Sequence, residues 1–141
     1  MNKVSSIKYQ VSGRVVHGDH YGSRLGFPTA NLDRRSFSRR KMKIRFGVYA
    51  GWATVDGHHL GLPQMVPIKG KYPAAIVIGP LDKHHLPKIE AHLIGFKGNL
   101  YGKRLSLYLS IYLRPFRKFK SEEELKRQIK KDIKKIRELV L

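Results

Sequence analysis

The sequence predicts a mostly β protein, a barrel with a single C-terminal helix packed on it. Three observations carry this. Apolar and polar residues alternate in several short runs separated by glycine- and proline-rich turns. Helical periodicity occurs at the C-terminus, from Ser121 onward. No β-α-β alternation is visible, which argues against a doubly wound nucleotide-binding fold, whereas strands followed by one terminal helix suit a barrel. The length of 141 residues fits one domain. We expect it to span residues 1–141, with the barrel over about 7–113 and the helix over about 121–139.

The first strand is expected from Ile7 to Val16, with Ile7, Tyr9, Val11, Gly13 and Val15 on one face. A loop with three glycines, Gly18, Gly22 and Gly26, follows. Pro28 then biases Phe27 toward extended geometry. Residues 33–45 hold seven Lys or Arg and few apolar positions, so an exposed, mobile loop is expected. Gly47 to Val55 reads as a strand, and Ala74 to Ile78 as a short apolar one. Gly79 to Pro87 reads as loop. Lys88 to Phe96 alternates, with Ile89, Ala91 and Leu93 on one face and Glu90, His92 and Ile94 on the other. Gly98 to Gly102 is a hairpin connection. Arg104 to Leu113 is the clearest strand, with Leu105, Leu107, Leu109, Ile111 and Leu113 facing one way.

In the terminal helix Ser121 is the cap, and Glu124 completes a capping box. Glu122, Glu123 and Glu124 suit the positive end of the helix dipole. Leu125, Ile129, Ile133, Ile136 and Val140 form an apolar stripe, with most lysines off it.

The net charge of +19 attracts polyanions, whether nucleic acid, anionic membrane or phosphorylated small molecules. No apolar run approaches a membrane span, and the first residues lack a signal-peptide core. There are no cysteines, which excludes disulfides and thiolate metal sites. A cytoplasmic monomer without membrane association is the expectation.

The common phosphate-binding motifs are absent. Gly13 and Gly18 have the first spacing of a Walker A loop, but Asp19-His20 follows. Among the seven histidines, His58-His59 and His84-His85 are adjacent pairs, which on a strand point to opposite faces and chelate poorly. Glu90 lies inside a strand pattern. By position alone, a carboxylate on a solvated face or paired with a strand lysine is the stronger reading, and a general base is the alternative.

The ordered set Gly13-Arg14-Val15-Val16-His17-Gly18, then Leu25-Gly26-Phe27-Pro28-Thr29-Ala30-Asn31, resembles the ATP-dependent riboflavin kinase (flavokinase) family. Further matches follow in the family's order: Gly47 to Ala53, Ile89-Glu90-Ala91-His92-Leu93-Ile94, Leu100-Tyr101-Gly102, Leu113-Arg114-Pro115, Lys118 to Ser121, and Leu125, Ile129 and Asp132. The resemblance covers roughly residues 10–137.

The resemblance implies a six-stranded antiparallel barrel of Greek-key type with a C-terminal helix. It implies transfer of a phosphate from ATP to riboflavin, giving FMN and ADP, with Mg²⁺ as the divalent cation. Glu90 takes the place of the catalytic base. Thr29 and Asn31 take the place of the residues that bind the metal and the nucleotide phosphates. Gly18, Gly22, Gly26, Pro28 and Tyr101 belong to the matched nucleotide-side segments, and Arg114 and Phe119 to the flavin side. The chemistry is reasonable: hydroxyl and amide oxygens are hard ligands for Mg²⁺, and glycines let backbone N–H groups approach phosphate.

The sequence departs from the family's pattern at Ser23, Val77, Leu81 and Phe116, and in a long stretch from Gly57 to Tyr72. These positions bear on affinity and nucleotide choice. An N-terminal adenylyltransferase domain, common in relatives, is not expected. Two other readings compete. One is a basic nucleic-acid-binding barrel, resting on the charge and the run from Arg34 to Arg45. The other is a flavin-binding regulator without turnover. The basic run lacks the aromatic interleaving of stacking platforms, and the intact Thr29, Asn31 and Glu90 argue for turnover. By the same resemblance, the loop from Arg34 to Arg45 is expected to close over bound substrates.

Overall fold

The computed structural model describes residues 7–18, 25–33, 43–55 and 70–140. Six strands are present: β1 (Tyr9–Val16), β2 (Ala30–Leu32), β3 (Gly47–Val55), β4 (Lys71–Leu81), β5 (Pro87–Leu93) and β6 (Arg104–Arg114). One helix, α1 (Glu122–Val140), follows. The strands close in the order β1-β2-β5-β4-β3-β6, with every pairing antiparallel. β3, β4 and β5 form a meander, while β2 and β6 are paired out of sequence order, as in a Greek key.

Alternation decides what fills the barrel. Val11 and Val15 of β1, Ile76 and Ile78 of β4, Ile89 of β5 and Leu107 of β6 all point inward and are almost fully buried. Each such side chain contributes roughly 1.5–3 kcal/mol relative to exposure. The interior is a packed core, so ligands must bind on the outside of the barrel. A second, smaller core lies there, where Ala50 and Ile94 meet Ile136 and Val140 of α1.

The strand boundaries differ from expectation in ways with physical causes. Ile7 is 52% exposed and lies before β1. β2 is only three residues long, too short to show a period, and was not expected as a strand. β4 runs from Lys71 to Leu81, longer than the apolar run at its centre, because pairing with Trp52, Ala53 and Thr54 continues through Pro73, Tyr72 and Lys71. β5 ends at Leu93, and Ile94 enters a turn and packs under the helix.

The largest correction concerns β6. Leu109 pairs with Gly51 but Ile111 pairs with Ala50, leaving Ser110 as an extra residue. Such a bulge reverses the alternation beyond it. Ile111 and Leu113 therefore face the helix rather than the barrel interior. Tyr112 turns inward, its ring edge-on to Tyr49 at 5.2 Å between centroids. A second irregularity sets Arg114 opposite Val48, which places it on the outer face.

Ser121 caps α1, its Oγ accepting from the Glu124 N–H at 3.2 Å. Ile136 and Val140 are buried, whereas Leu125, Ile129 and Ile133 are only half-buried. The N-terminal half of the stripe thus stands off the barrel. No helix among the described residues is long and apolar enough to cross a membrane.

Candidate active site

The gap between α1 and the barrel is a cavity of roughly 470 Å³, within the usual range for small-molecule sites. β5 supplies Lys88, Glu90 and His92 from its outward face, the end of β6 supplies Arg114, and the segment after it supplies Phe116 and Phe119. Val48, Ala75, Val77, Leu125 and Ile129 make the walls apolar. A largely apolar ligand with a few polar groups suits such a space.

Glu90 is half-buried, its side chain 15% exposed, and Lys88 Nζ lies 3.0 Å from its Oε2. The lysine pairing expected of a strand carboxylate is therefore real, yet it occurs inside a cavity rather than on an open face. The ion pair thus involves one oxygen of a carboxylate that borders the cavity.

Arg114 is held by Asp132 of α1. Its Nη2 donates to Oδ2 at 2.8 Å, and its Nε lies 3.2 Å from both carboxylate oxygens. Gln128 Nε2 donates to Asp132 Oδ1 at 2.9 Å. The Arg114 guanidinium also lies 5.9 Å from the Phe119 ring centroid. Both resemblance-derived flavin-side residues, Arg114 and Phe119, thus border the cavity that holds Glu90. Asp132→Ala is expected to cost about 3 kcal/mol, since it strands a largely buried cation. The measurement is the urea midpoint at constant slope. A double variant, Arg114→Met with Asp132→Leu, should regain most of that stability. A single variant as stable as wild type would show that the pair does not brace the helix.

A second cavity of roughly 290 Å³ lies on the other side of Thr29. Val15, Pro28, Thr29, His92, Asn99 and Tyr101 are among its lining residues. Thr29 and His92 line both cavities. Tyr101 stacks on His17, with centroids 3.8 Å apart. Asn31 is the cross-strand partner of Glu90 through the β2–β5 pairing, so their Cβ atoms are about 5 Å apart.

The glycine-loop residues divide. A Cβ on Gly18 would overlap the Asn31 side chain, so glycine is required for this close approach. Gly26 has φ of +92° and open space around it, so glycine serves the backbone there. Gly22 lies outside the described residues, as do Ser23, Arg34 to Met42 and most of the long stretch from Gly57. Among the described residues, no group of three or more His, Asp or Glu side chains is arranged to hold a metal ion. The donors present are the Thr29 hydroxyl, the Asn31 amide oxygen and the nearby Glu90 carboxylate. That oxygen set, with the backbone at Gly18 pressed close to Asn31, fits a hard divalent cation completed by phosphate and water.

Sequence reasoning missed Lys88, His92 and Asp132 as site residues. Asp132 carried a signal, an acid three residues after Ile129 on an otherwise apolar stripe. His92 carried another, since it shares the Glu90 face of its strand.

The family profile described as flavokinase, riboflavin kinase, matches residues 5–140. The RNA-binding riboflavin kinase RibR of Bacillus subtilis is 35% identical over 125 residues, covering 87% of this chain and 47% of that protein. The bifunctional riboflavin kinase/FMN adenylyltransferase of Escherichia coli is 36% identical over 124 residues, covering 88% of this chain and 36% of that protein. The crystal structure of riboflavin kinase from Trypanosoma brucei superposes with a TM-score of 0.65 at 26% identity, covering 92% of this chain and 77% of that one. The chain spans less than half the length of these curated relatives.

Proposed function

The chain belongs to the riboflavin kinase family, and from that premise we propose that it transfers the γ-phosphate of ATP to the ribityl 5′-hydroxyl of riboflavin, giving FMN and ADP. The observation that carries this reading is the position of Thr29 in the wall between two cavities, with Glu90 in one of them. Phosphoryl transfer brings the attacking oxygen and the phosphorus into contact, so donor and acceptor need adjoining sites, and these two cavities share Thr29 and His92.

In this reading the apolar cavity takes the isoalloxazine, beside Phe119 and the Arg114 guanidinium. The smaller cavity takes the nucleotide, with Thr29 toward its phosphates. Glu90 accepts the proton of the ribityl hydroxyl as that oxygen bonds to the γ-phosphorus. The bond from the γ-phosphorus to the bridging oxygen breaks, and its electron pair leaves with ADP. Thr29 and Asn31 would hold Mg²⁺, which when bound neutralises charge on the phosphates. Lys88 keeps the Glu90 carboxylate oriented. The apolar walls exclude water, which limits loss of phosphate to hydrolysis.

Incubation with riboflavin, ATP and Mg²⁺, followed by separation of FMN from riboflavin, tests the proposal. FMN should form only when all three are present. Absence of FMN under saturating substrates overturns it.

A second reading, association with RNA beside catalysis, is favoured by the charge of +19 and by the name of the B. subtilis relative. A gel shift that weakens steeply with salt is the expected result. No shift at low salt removes it.

A further inference from the structure

The β2–β5 pairing ends at Ala30, opposite Ala91. Continued by one residue, the same register would set Thr29 opposite His92. The strand does not continue: Thr29 lies outside β2, and Pro28 has no N–H to extend a ladder. Backbone pairing therefore fixes Asn31 against Glu90 but leaves Thr29 one step beyond its reach.

A side chain takes over there. His92 Nδ1 lies 2.7 Å from the Pro28 carbonyl oxygen. A carbonyl oxygen only accepts, so Nδ1 carries the proton and donates. The His92 ring also stands edge-on to Phe27, at 6.0 Å and 84°. The two residues before Thr29 are thus tied to the residue two beyond Glu90. Building on the kinase reading above, we propose that His92 is a positioning residue, replacing the missing backbone rung and holding the Thr29 hydroxyl in fixed relation to the Glu90 carboxylate.

The ring's place in both cavity walls sharpens the expectation. Loosening the bond should disturb the relation between the two ligands more than the affinity for either. A misplacement of about 1 Å can cost on the order of 10²-fold in rate.

Two variants separate the ring from the donor. His92→Phe keeps a ring beside Phe27 and has no N–H; His92→Asn loses the ring but keeps an N–H donor near the Nδ1 position. We expect His92→Phe to lower kcat ten- to a hundredfold with the riboflavin Kd, read from flavin fluorescence, changed less than twofold. His92→Asn should restore kcat to within about threefold of wild type. Amide hydrogen exchange over residues 27–30 should quicken in the Phe variant and stay near wild type in the Asn variant. A Phe variant with wild-type kcat and exchange overturns the proposal, as does an Asn variant as impaired as the Phe variant. If His92→Phe fails to fold, His92→Leu takes its place with the same expectations. A wild-type chain that makes no FMN would refute the kinase reading instead, and the exchange pattern would still decide whether His92 holds this segment.

Discussion

Glu90→Gln is expected to lower kcat by on the order of 10²–10⁴-fold, the usual contribution of a general base, while riboflavin and nucleotide still bind. The shape of the side chain is kept, and only its capacity to take a proton is lost. The ion pair with Lys88 at 3.0 Å is lost as well, so a control is needed. Lys88→Met keeps the carboxylate and removes its partner. It should reduce kcat far less, by about tenfold or under, an order-of-magnitude allowance for lost orientation. Single-turnover conversion of riboflavin to FMN separates chemistry from product release. Near-wild-type turnover in Glu90→Gln would end the role. Equal losses in both variants would mean that the pair's electrostatics, not proton transfer, governs the rate.

Thr29→Val and Asn31→Ala should each raise the Mg²⁺ concentration needed for half-maximal rate, together with the KM for ATP. The expected size is on the order of tenfold each, corresponding to roughly 1.4 kcal/mol of lost binding. Riboflavin affinity should change less than twofold in Asn31→Ala, because Asn31 does not line the apolar cavity, and more in Thr29→Val, because Thr29 does. Gly18→Ala offers an independent route to the same outcome. Its new Cβ would overlap the Asn31 side chain and push the amide aside without touching the donor chemistry directly. A Gly18→Ala enzyme with unaltered Mg²⁺ dependence, beside an impaired Asn31→Ala enzyme, would mean that Asn31 acts by some property other than placement. If neither Thr29→Val nor Asn31→Ala changes the Mg²⁺ dependence, the metal assignment is wrong.

Much of this arrangement was legible before the fold was known, for reasons specific to each element. β1 and the first half of β6 face the barrel core on one side, and their alternation follows directly, while β3, buried on both faces over its first half, reads as a continuous apolar run. The cap at Ser121 and the helix stripe were equally plain. β2 was not legible, because three residues cannot display a period. The facing of Ile111 and Leu113 was misread because one extra residue, Ser110, reverses a two-residue repeat without leaving any compositional mark. Within the site, Glu90 stood out as an acid inside a strand. Thr29 and Asn31 came only from the resemblance, since a threonine and an asparagine beside a proline are ordinary loop chemistry. The resemblance matched both Arg114 and Asp132, but their pairing was not legible, because an ion pair across eighteen residues depends on how the helix returns over the barrel.

The Ser110 bulge also bears on chain length as a variable separate from residue identity. Two residues there, Ser110 and Ile111, occupy the space of one across from β3. Deleting Ser110 would remove this irregularity, though not the second one before Arg114, while leaving Ile111, Tyr112, Leu113 and Arg114 on the faces they already occupy. Removing Ala53 from β3, which has no such slack, would turn one half of that strand inside out. The first deletion should therefore yield a folded protein with a somewhat flatter β6, and the second an insoluble one. In a library of single-residue deletions, β6 should tolerate loss at position 110 and the central part of β3 should tolerate none. An insoluble Ser110 deletion would mean that the extra curvature supplied by the bulge, rather than the facing of the residues beyond it, is what the barrel requires.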